Sequence, residues 1–235
     1  MIDRSLNYGR HHIKNFIRGV NAFPVIVDLG AGGGVDLGIA RSVHPTAEIH
    51  AVECWPPYVN SLSGMGITVH QIDIERDALP FANGTVDIII ANQVLEHTKD
   101  IFWIFHEISR VLKVGGSLIV GVPNLASLHN RILLALGRQP SAIQSASAHV
   151  RGFTKPDLVR FCGTCFAGGF ELSDFGGSNF YPFPPVIAKP LAKLLPSFSW
   201  GIFFHFVKIK DYERQFLAFP LENKLETNYY LGIQR

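Results

Sequence analysis

Apolar residues follow two alternating patterns along the first half of the chain. Short apolar runs typical of buried strands occupy residues 25–29, 49–53, 67–73, 86–91 and 117–123. Between them, apolar positions spaced by three or four residues predict helices, among them 35–43 and 101–112, the second ended by Gly115 and Gly116. Because strand and helix alternate through five rounds, we expect an α/β fold with a doubly wound, mostly parallel sheet and helices on both faces.

The second half of the chain adds elements to this sheet. A capping pattern at Thr154 predicts the start of a helix, and apolar runs at 170–175 and 200–208 predict two more strands, which brings the sheet to seven. A lysine-bearing apolar helix is expected at 184–195, and one further strand at 228–232. The last of these has no assigned neighbour in the predicted sheet.

We expect a single domain over residues 1–235 with three specialised parts. Residues 1–23 form an N-terminal cap that contains a short amphipathic helix. Residues 124–152 are less regular and follow the end of a strand, which is typical of a lid-like insertion over a site. Residues 176–235 form a C-terminal region on the substrate side.

The first strand ends in a glycine-rich turn. Residues 25–34 read VIVDLGAGGG, so the acid Asp28 precedes a run in which four of five residues are glycine. Glycine permits positive φ and close approach of a ligand to the backbone, and the following helix offers unpaired N–H groups. Open α/β sheets bind ligands at the carboxyl ends of strands, so we expect a nucleoside-containing ligand here. Glu53, 19 residues beyond Gly34, is placed to hold its ribose hydroxyls.

Composition and charge limit the partners and the location. The 235 residues carry a net charge of +2 without a basic run, which argues against nucleic acid as an obligatory partner. The N-terminal residues lack the apolar run of a signal peptide, so we expect a cytoplasmic protein. Peripheral contact with the inner membrane face is an alternative for the apolar, lysine-flanked residues 181–207. The oligomeric state is left open.

Cys162 and Cys165 form a C-x-x-C pair, which is found in redox and zinc sites. The pair falls inside a predicted helix, and no second pair completes a metal set. We therefore expect these cysteines to pack on a helix face. No metal site is predicted anywhere in the chain.

The motifs as a set resemble the class I S-adenosylmethionine-dependent methyltransferases. These are the glycine turn, the acids that end the second and third strands, and the segments Leu79-Pro80-Phe81, Val86-Asp87-Ile88, Leu95-Glu96-His97 and Arg110–Gly116. The pattern is similar to the type 11/23 branch of that superfamily and covers about residues 23–175. The resemblance implies a Rossmann-like sheet, S-adenosylmethionine as cofactor and S-adenosylhomocysteine as product.

The resemblance also implies where the cofactor binds. The glycine backbone faces its methionine part, Glu53 its ribose, Trp55 lies near its adenine, and Asp73 accepts from the adenine amino group. Asn92 and Gln93 line the path to the substrate. The implied cofactor-binding residues are Asp28, Gly30, Ala31, Gly32, Glu53, Cys54, Trp55, Asp73, Ile74, Asn92 and Gln93.

NAD is the rival nucleotide, because its binding turns are also rich in glycine. Here Val35 stands where G-x-G-x-x-G has its last glycine, and Asp28 lies two residues ahead of the first. Both departures favour the sulfonium cofactor, which has no pyrophosphate to hold. An NAD-dependent oxidoreductase and a methyltransferase-like binding protein without turnover remain as alternatives.

The acceptor is predicted less sharply than the donor. We expect a small molecule or a lipid- or saccharide-linked molecule, methylated on oxygen. Methyl transfer is an in-line displacement, so a general base is needed only where the acceptor is a hydroxyl. His97 and His149 are the candidates for that base, and each also has a structural alternative.

Overall fold

The computed structural model describes residues 3–20 and 24–232. A seven-stranded sheet forms its centre, in the order β3-β2-β1-β4-β5-β7-β6. The strands are β1 (Val25–Leu29), β2 (Glu48–Val52), β3 (Thr68–His70), β4 (Val86–Asn92), β5 (Leu112–Pro123), β6 (Phe170–Ser178) and β7 (Gly201–Lys208). The helices are α1 (Arg10–Ile17), α2 (Val35–Val43), α3 (Pro56–Gly64), α4 (Ile101–Val111), α5 (Leu128–Ala135), α6 (Lys155–Cys165), α7 (Pro185–Leu194) and α8 (Gln215–Glu222).

The sheet is parallel from β3 to β5, and β7 is antiparallel to both of its neighbours. This confirms the predicted Rossmann-like α/β fold with seven mostly parallel strands. Asp28 near the end of β1 pairs with Ala51 of β2 and with Ile90 of β4. The carboxyl ends of these three strands therefore meet at one edge, as the prediction required.

Alternating side chains of each strand enter two separate cores, because successive residues point to opposite faces. Val27 and Leu29 belong to the larger core, under α4, α6 and α8, whereas Ile26 belongs to the smaller core, under α1 and α2. Ile13 and Phe16 of α1 are buried in this smaller core, so the predicted N-terminal amphipathic helix is confirmed. Helices thus cover both faces of the sheet.

The predicted end of the helix over 101–112 is wrong. Helix α4 ends at Val111, and β5 begins at once with Leu112 and runs through Gly115 and Gly116. The Lys208 ammonium donates to the carbonyls of Ser109 and Leu112, each at 2.7 Å. These bonds satisfy carbonyls at the helix end, which is what a glycine cap would otherwise do.

Two strand predictions also differ from the structure. The third strand is limited to Thr68–His70, so Asp73 lies in the loop after it. No strand forms at 228–232 in the described residues. That segment packs on α4, where the Tyr230 N–H donates to the Asp100 carboxylate at 3.0 Å. The helix α8 was not predicted.

The segment 124–152 is partly ordered by buried amides. It contains α5 and a 3-10 turn at Ser141–Ile143. The Asn124 side chain donates to the carbonyls of Ser197 and Ser199, and the Asn130 carbonyl oxygen accepts from Ser141. These bonds hold the chain before α5 and the first turn of α5, and the division of the chain into cap, lid and substrate-side region stays a prediction.

The C-x-x-C pair lies inside α6, as predicted. Cys162 and Cys165 are both buried there, and burial raises the pKa of both thiols, that of Cys165 to about 12. A protonated, buried thiol is a packing group and a weak nucleophile. In the described parts of the chain, no helix has the length and apolar character needed to cross a membrane.

Candidate cofactor and acceptor site

The glycine turn is tied to the end of β2. The N–H groups of Gly30 and Ala31 both donate to the Val52 carbonyl, at 2.8 and 3.2 Å. Gly30 has a φ of 65°, and a Cβ there would lie 2.7 Å from the Val94 side chain, so a larger residue does not fit. Gly32 has a φ of 52° but faces open space, with no atom nearer than 3.9 Å to a Cβ. The turn is therefore packed on the Gly30 side and open at Gly32.

Glu53 connects this turn to the strand beside it. One carboxylate oxygen accepts from the Gly32 N–H at 2.9 Å, and the other accepts from the Trp55 N–H at 2.9 Å. The side chain is buried and follows β2 directly. The predicted proximity of Glu53 to the glycine turn is thus present, and its two backbone bonds fix the carboxylate in one orientation.

Three acids lie together around the turn. Burial, Asp36 and Glu53 raise the pKa of Asp28 well above its usual value, and burial also raises the pKa of Asp36. Two groups act against this rise in the Asp36 pKa: the Asn92 amide, which donates to the Asp36 carboxylate at 2.8 Å, and the Arg10 guanidinium, whose Nε lies 3.8 Å from it. This acidic cluster, Asp28, Asp36 and Glu53, gives the site a marked preference for a cationic ligand.

Asn92 and Gln93 end β4 beside the cluster. The Asn92 amide also donates to the Tyr8 carbonyl at 3.1 Å, which draws the N-terminal segment over the site. Gln93 has a φ of 58°, a conformation that non-glycine residues seldom adopt and that is frequent at binding sites. Its side-chain nitrogen is buried without a hydrogen-bond partner. The Gln93 side-chain nitrogen and the Asn92 side-chain oxygen, which also lacks a partner, are available to a ligand at the strand ends.

The remaining predicted cofactor residues lie further out. Trp55 is 53% exposed and packs edge-on against Tyr58 at 4.7 Å between ring centroids. Cys54 and Asp73 are also exposed, and the Asp73 carboxylate accepts from the Glu75 N–H at 2.9 Å. Ile74 is half-buried against the larger core. Their assignment to the adenine stays a prediction.

A second cluster follows β4 and joins the two predicted catalytic histidines. Glu96, His97 and His149 bring one carboxylate or imidazole donor atom each to within 4.8 Å of one another. The Glu96 carbonyl accepts from the N–H groups of Val150 and Arg151, at 2.8 and 3.2 Å, which brings His149 beside His97. The two rings pack edge-to-face with centroids 4.8 Å apart.

Burial determines the charge of this cluster. Glu96 is only 1% exposed, and one of its carboxylate oxygens has no hydrogen-bond partner. Burial raises the Glu96 pKa to about 8 and lowers the pKa of His97. Both imidazoles also contact backbone carbonyls through Nδ1, His97 at Ala148 (3.2 Å) and His149 at Ala142 (2.8 Å). A carbonyl only accepts, so each Nδ1–H donates, and Nε2 is the ring nitrogen left for another partner.

A cavity of about 690 Å³ opens between the N-terminal segment, β6 and α7. Its lining is basic and includes Arg10, His11, His12, Lys189 and Lys193. Burial lowers the His11 pKa to about 4, so His11 is neutral at physiological pH. The cavity is distinct from the predicted cofactor residues, and Arg10 joins the two through its contact with Asp36.

The sequence prediction missed two of the acids. Asp36 stands in the first turn of the helix after the glycines, which is the one local signal for it. Glu96 was quoted only as part of a motif, because nothing in the sequence shows that it is buried. Its partner His149 is 53 residues away and reaches it through the fold of the insertion.

Comparisons with known proteins agree with this arrangement. Residues 27–120 match the family model described as a methyltransferase domain, type 11. The match covers 94 of the 235 residues and agrees with the methyltransferase family that the motifs predict. S-adenosylmethionine-dependent methyl transfer stays the predicted activity of the chain.

Individual relatives match more narrowly. A malonyl-[acyl-carrier protein] O-methyltransferase of Methylococcus capsulatus is 32% identical over 100 residues, which is 40% of this chain and 35% of the relative. The chain spans about a third of the length of the curated relatives it matches.

Among solved structures, the complex of the Haloferax volcanii Trm112 methyltransferase activator with the putative methyltransferase gives a TM-score of 0.64. The identity there is 17%, with 90% of this chain and 92% of that chain covered. An S-adenosylmethionine-dependent methyltransferase of Aquifex aeolicus gives 0.58 at 15% identity, with 88% and 94% covered. Likenesses at this identity show the fold.

Proposed function

We propose that this protein transfers the methyl group of S-adenosylmethionine to an oxygen of a small or lipid- or saccharide-linked acceptor. The observation that carries the proposal is the acidic cluster around the glycine turn. S-adenosylmethionine brings a sulfonium and an ammonium group, and both are cations. NAD would instead bring a pyrophosphate next to three carboxylates, which the same cluster would repel.

The contacts of the site support a position for each part of the cofactor. Glu53 holds the turn through Gly32 and lies where ribose hydroxyls would donate to its carboxylate. Asp28 is buried at the end of β1 beside the same turn, and the cationic methionine part of the cofactor would lower its electrostatic cost. Asn92 and Gln93 would orient the methyl group toward the acceptor.

Catalysis then depends mainly on alignment. In an in-line displacement the acceptor oxygen forms a bond to the methyl carbon as the bond from sulfur to that carbon breaks, which leaves neutral S-adenosylhomocysteine. The acceptor hydroxyl must also lose its proton. His97 and His149 remain the candidates that serve the acceptor at this point.

The acceptor is proposed from the basic cavity and from one relative. Arg10, Lys189 and Lys193 around the cavity favour an acceptor that carries a carboxylate or phosphate. A curated relative is a malonyl-[acyl-carrier protein] O-methyltransferase, which favours oxygen as the methylated atom. Exposed apolar residues of α7, among them Val186 and Leu194, suit a lipid-linked acceptor better than a free polar one.

Isothermal titration calorimetry with S-adenosylmethionine, S-adenosylhomocysteine and NAD tests the donor. We expect binding of the first two and none of NAD. Tight binding of NAD without binding of the sulfonium compound would overturn the proposal. An acceptor screen that detects S-adenosylhomocysteine release then tests turnover, and binding without release from any acceptor would favour the binding-protein alternative.

A further inference from the structure

We propose that Glu96, His97 and His149 form a site for one divalent transition-metal ion. The site goes beyond the proposed methyl transfer, and its occupancy can be measured without any acceptor. The argument rests on three features: the donor set, the orientation of the histidines and the unpartnered carboxylate.

The donor set matches that of first-row transition metals. Two imidazole nitrogens and one carboxylate oxygen, with donor atoms within 4.8 Å of one another, can move onto a common ion by side-chain rotation. Magnesium and calcium prefer an all-oxygen set, so this combination favours Zn²⁺, Mn²⁺, Co²⁺ or Fe²⁺. Three protein ligands also leave a coordination position for water or an acceptor oxygen.

The histidines are already held as metal ligands usually are. Metal-binding imidazoles commonly donate the other ring N–H to a carbonyl or carboxylate, which fixes the tautomer and the ring plane. His97 and His149 do this through Nδ1, toward Ala148 and Ala142. Both acceptor carbonyls belong to the segment 124–152, so that segment sets the orientation of both rings.

The Glu96 carboxylate supplies the second, independent observation. Only 1% of the Glu96 surface is exposed to solvent, and its Oε2 has no hydrogen-bond partner. Within the described ranges 3–20 and 24–232, no lysine or arginine forms an ion pair with it. A buried oxygen without a partner costs free energy, and a cation bound between Glu96 and the two imidazoles would provide the missing partner.

An ion at this position would join two parts of the chain. Glu96 and His97 lie in the 3-10 turn after β4, beside the proposed methyl-donor residues, and His149 lies near the end of the lid-like segment 124–152. Metal binding would therefore hold residues 141–149 against the strand ends. This second consequence gives a readout that does not depend on metal spectroscopy.

Tag-free protein stripped of metal is titrated with Co²⁺, followed by visible absorption, and with Zn²⁺ against a chromophoric chelator. We expect one ion per chain. His149→Ala and Glu96→Gln should each weaken binding by about tenfold or more, since loss of supporting contacts alone costs about 10–100-fold. His129→Ala is the control, because it removes a histidine outside the cluster, and it should bind both metals as the wild type does.

Circular dichroism and S-adenosylhomocysteine binding show whether each variant is folded. His97→Ala is a further variant on the exposed side if Glu96→Gln does not fold. Protection of residues 141–148 from proteolysis by Zn²⁺ would add support. The inference is overturned if wild-type protein binds neither Co²⁺ nor Zn²⁺ saturably, if folded His149→Ala binds them equally well, or if only Mg²⁺ binds. If the wild-type protein does not bind S-adenosylmethionine, that result contradicts the proposed function and leaves the metal site untouched.

Discussion

Glu53→Gln separates the charge of the β2 acid from its shape. The substitution keeps the side-chain volume but places an amide NH₂ against one of the two backbone N–H groups that the carboxylate now accepts, both at 2.9 Å. It also removes the charge proposed to hold the ribose hydroxyls. A hydrogen bond to a charged group contributes roughly 1.5–3 kcal/mol. Because the Gln carbonyl can still accept one bond, we expect a loss of about 1–3 kcal/mol, or about 5- to 150-fold in affinity for S-adenosylhomocysteine.

Calorimetry on matched variants measures this loss. Glu48→Gln is the control, because Glu48 lies at the opposite end of the same strand and its side chain is 68% exposed. It should leave the affinity unchanged. The reasoning fails if folded Glu53→Gln binds S-adenosylhomocysteine as tightly as the wild type, or if Glu48→Gln loses as much affinity.

Three further predictions concern other parts of the fold. Asp28→Asn should weaken S-adenosylmethionine binding by about 1–3 kcal/mol while leaving the free energy of unfolding unchanged or higher, because it removes a buried charge beside two like charges; calorimetry and urea unfolding measure the two effects, and a fall in both would contradict it. Gly30→Ala should destabilise the protein by about 1–3 kcal/mol, since its φ is 65° and the new Cβ meets Val94 at 2.7 Å, whereas Gly163→Ala, within α6 and in open space, should not. Burial lowers the His106 pKa from 6.5 to about 4, although Glu107 opposes the shift and Arg110 and Arg214 add to it; the folded state thus resists protonation, and stability from neutral His106 is lost as the pH falls from about 6.5 to 4. Urea unfolding should show the stability difference between wild type and His106→Gln change by roughly 2 kcal/mol over that window, and a constant difference would refute the assignment.

Local patterns were sufficient for most of the sheet. The strands β1, β2 and β4 were predicted within a residue or two, because their apolar runs are bounded by polar or glycine residues. The end of α4 was not, since Gly115 and Gly116 look like a helix stop and Lys208, which binds the last carbonyls, is almost a hundred residues away. Contacts that distant leave no mark in the local pattern.

The residues of the candidate site also fall into those that the local pattern predicts and those that depend on contacts distant in the sequence. Residues at or just after strand ends, such as Asp28, Glu53 and Asn92, could be predicted because the topology of a parallel sheet brings them to one edge. Asp36 and Arg10 could not, because their contact depends on how the N-terminal segment crosses the sheet. The Glu96–His97–His149 cluster likewise depends on backbone bonds between residue 96 and residues 150–151.

The two clusters have opposite electrostatic consequences for the ligands they suit. The acidic cluster lies at the glycine turn, where the buried carboxylates favour a cation that belongs to the donor molecule. At the second cluster, the buried Glu96 oxygen and two imidazole lone pairs favour a cation that stays with the protein. Both are built on residues at or after the ends of β1, β2 or β4, yet each is completed by a segment outside the 27–120 match: Arg10 for the first and His149 for the second. The matched residues therefore carry most of the proposed donor site, and the segments around them complete both clusters.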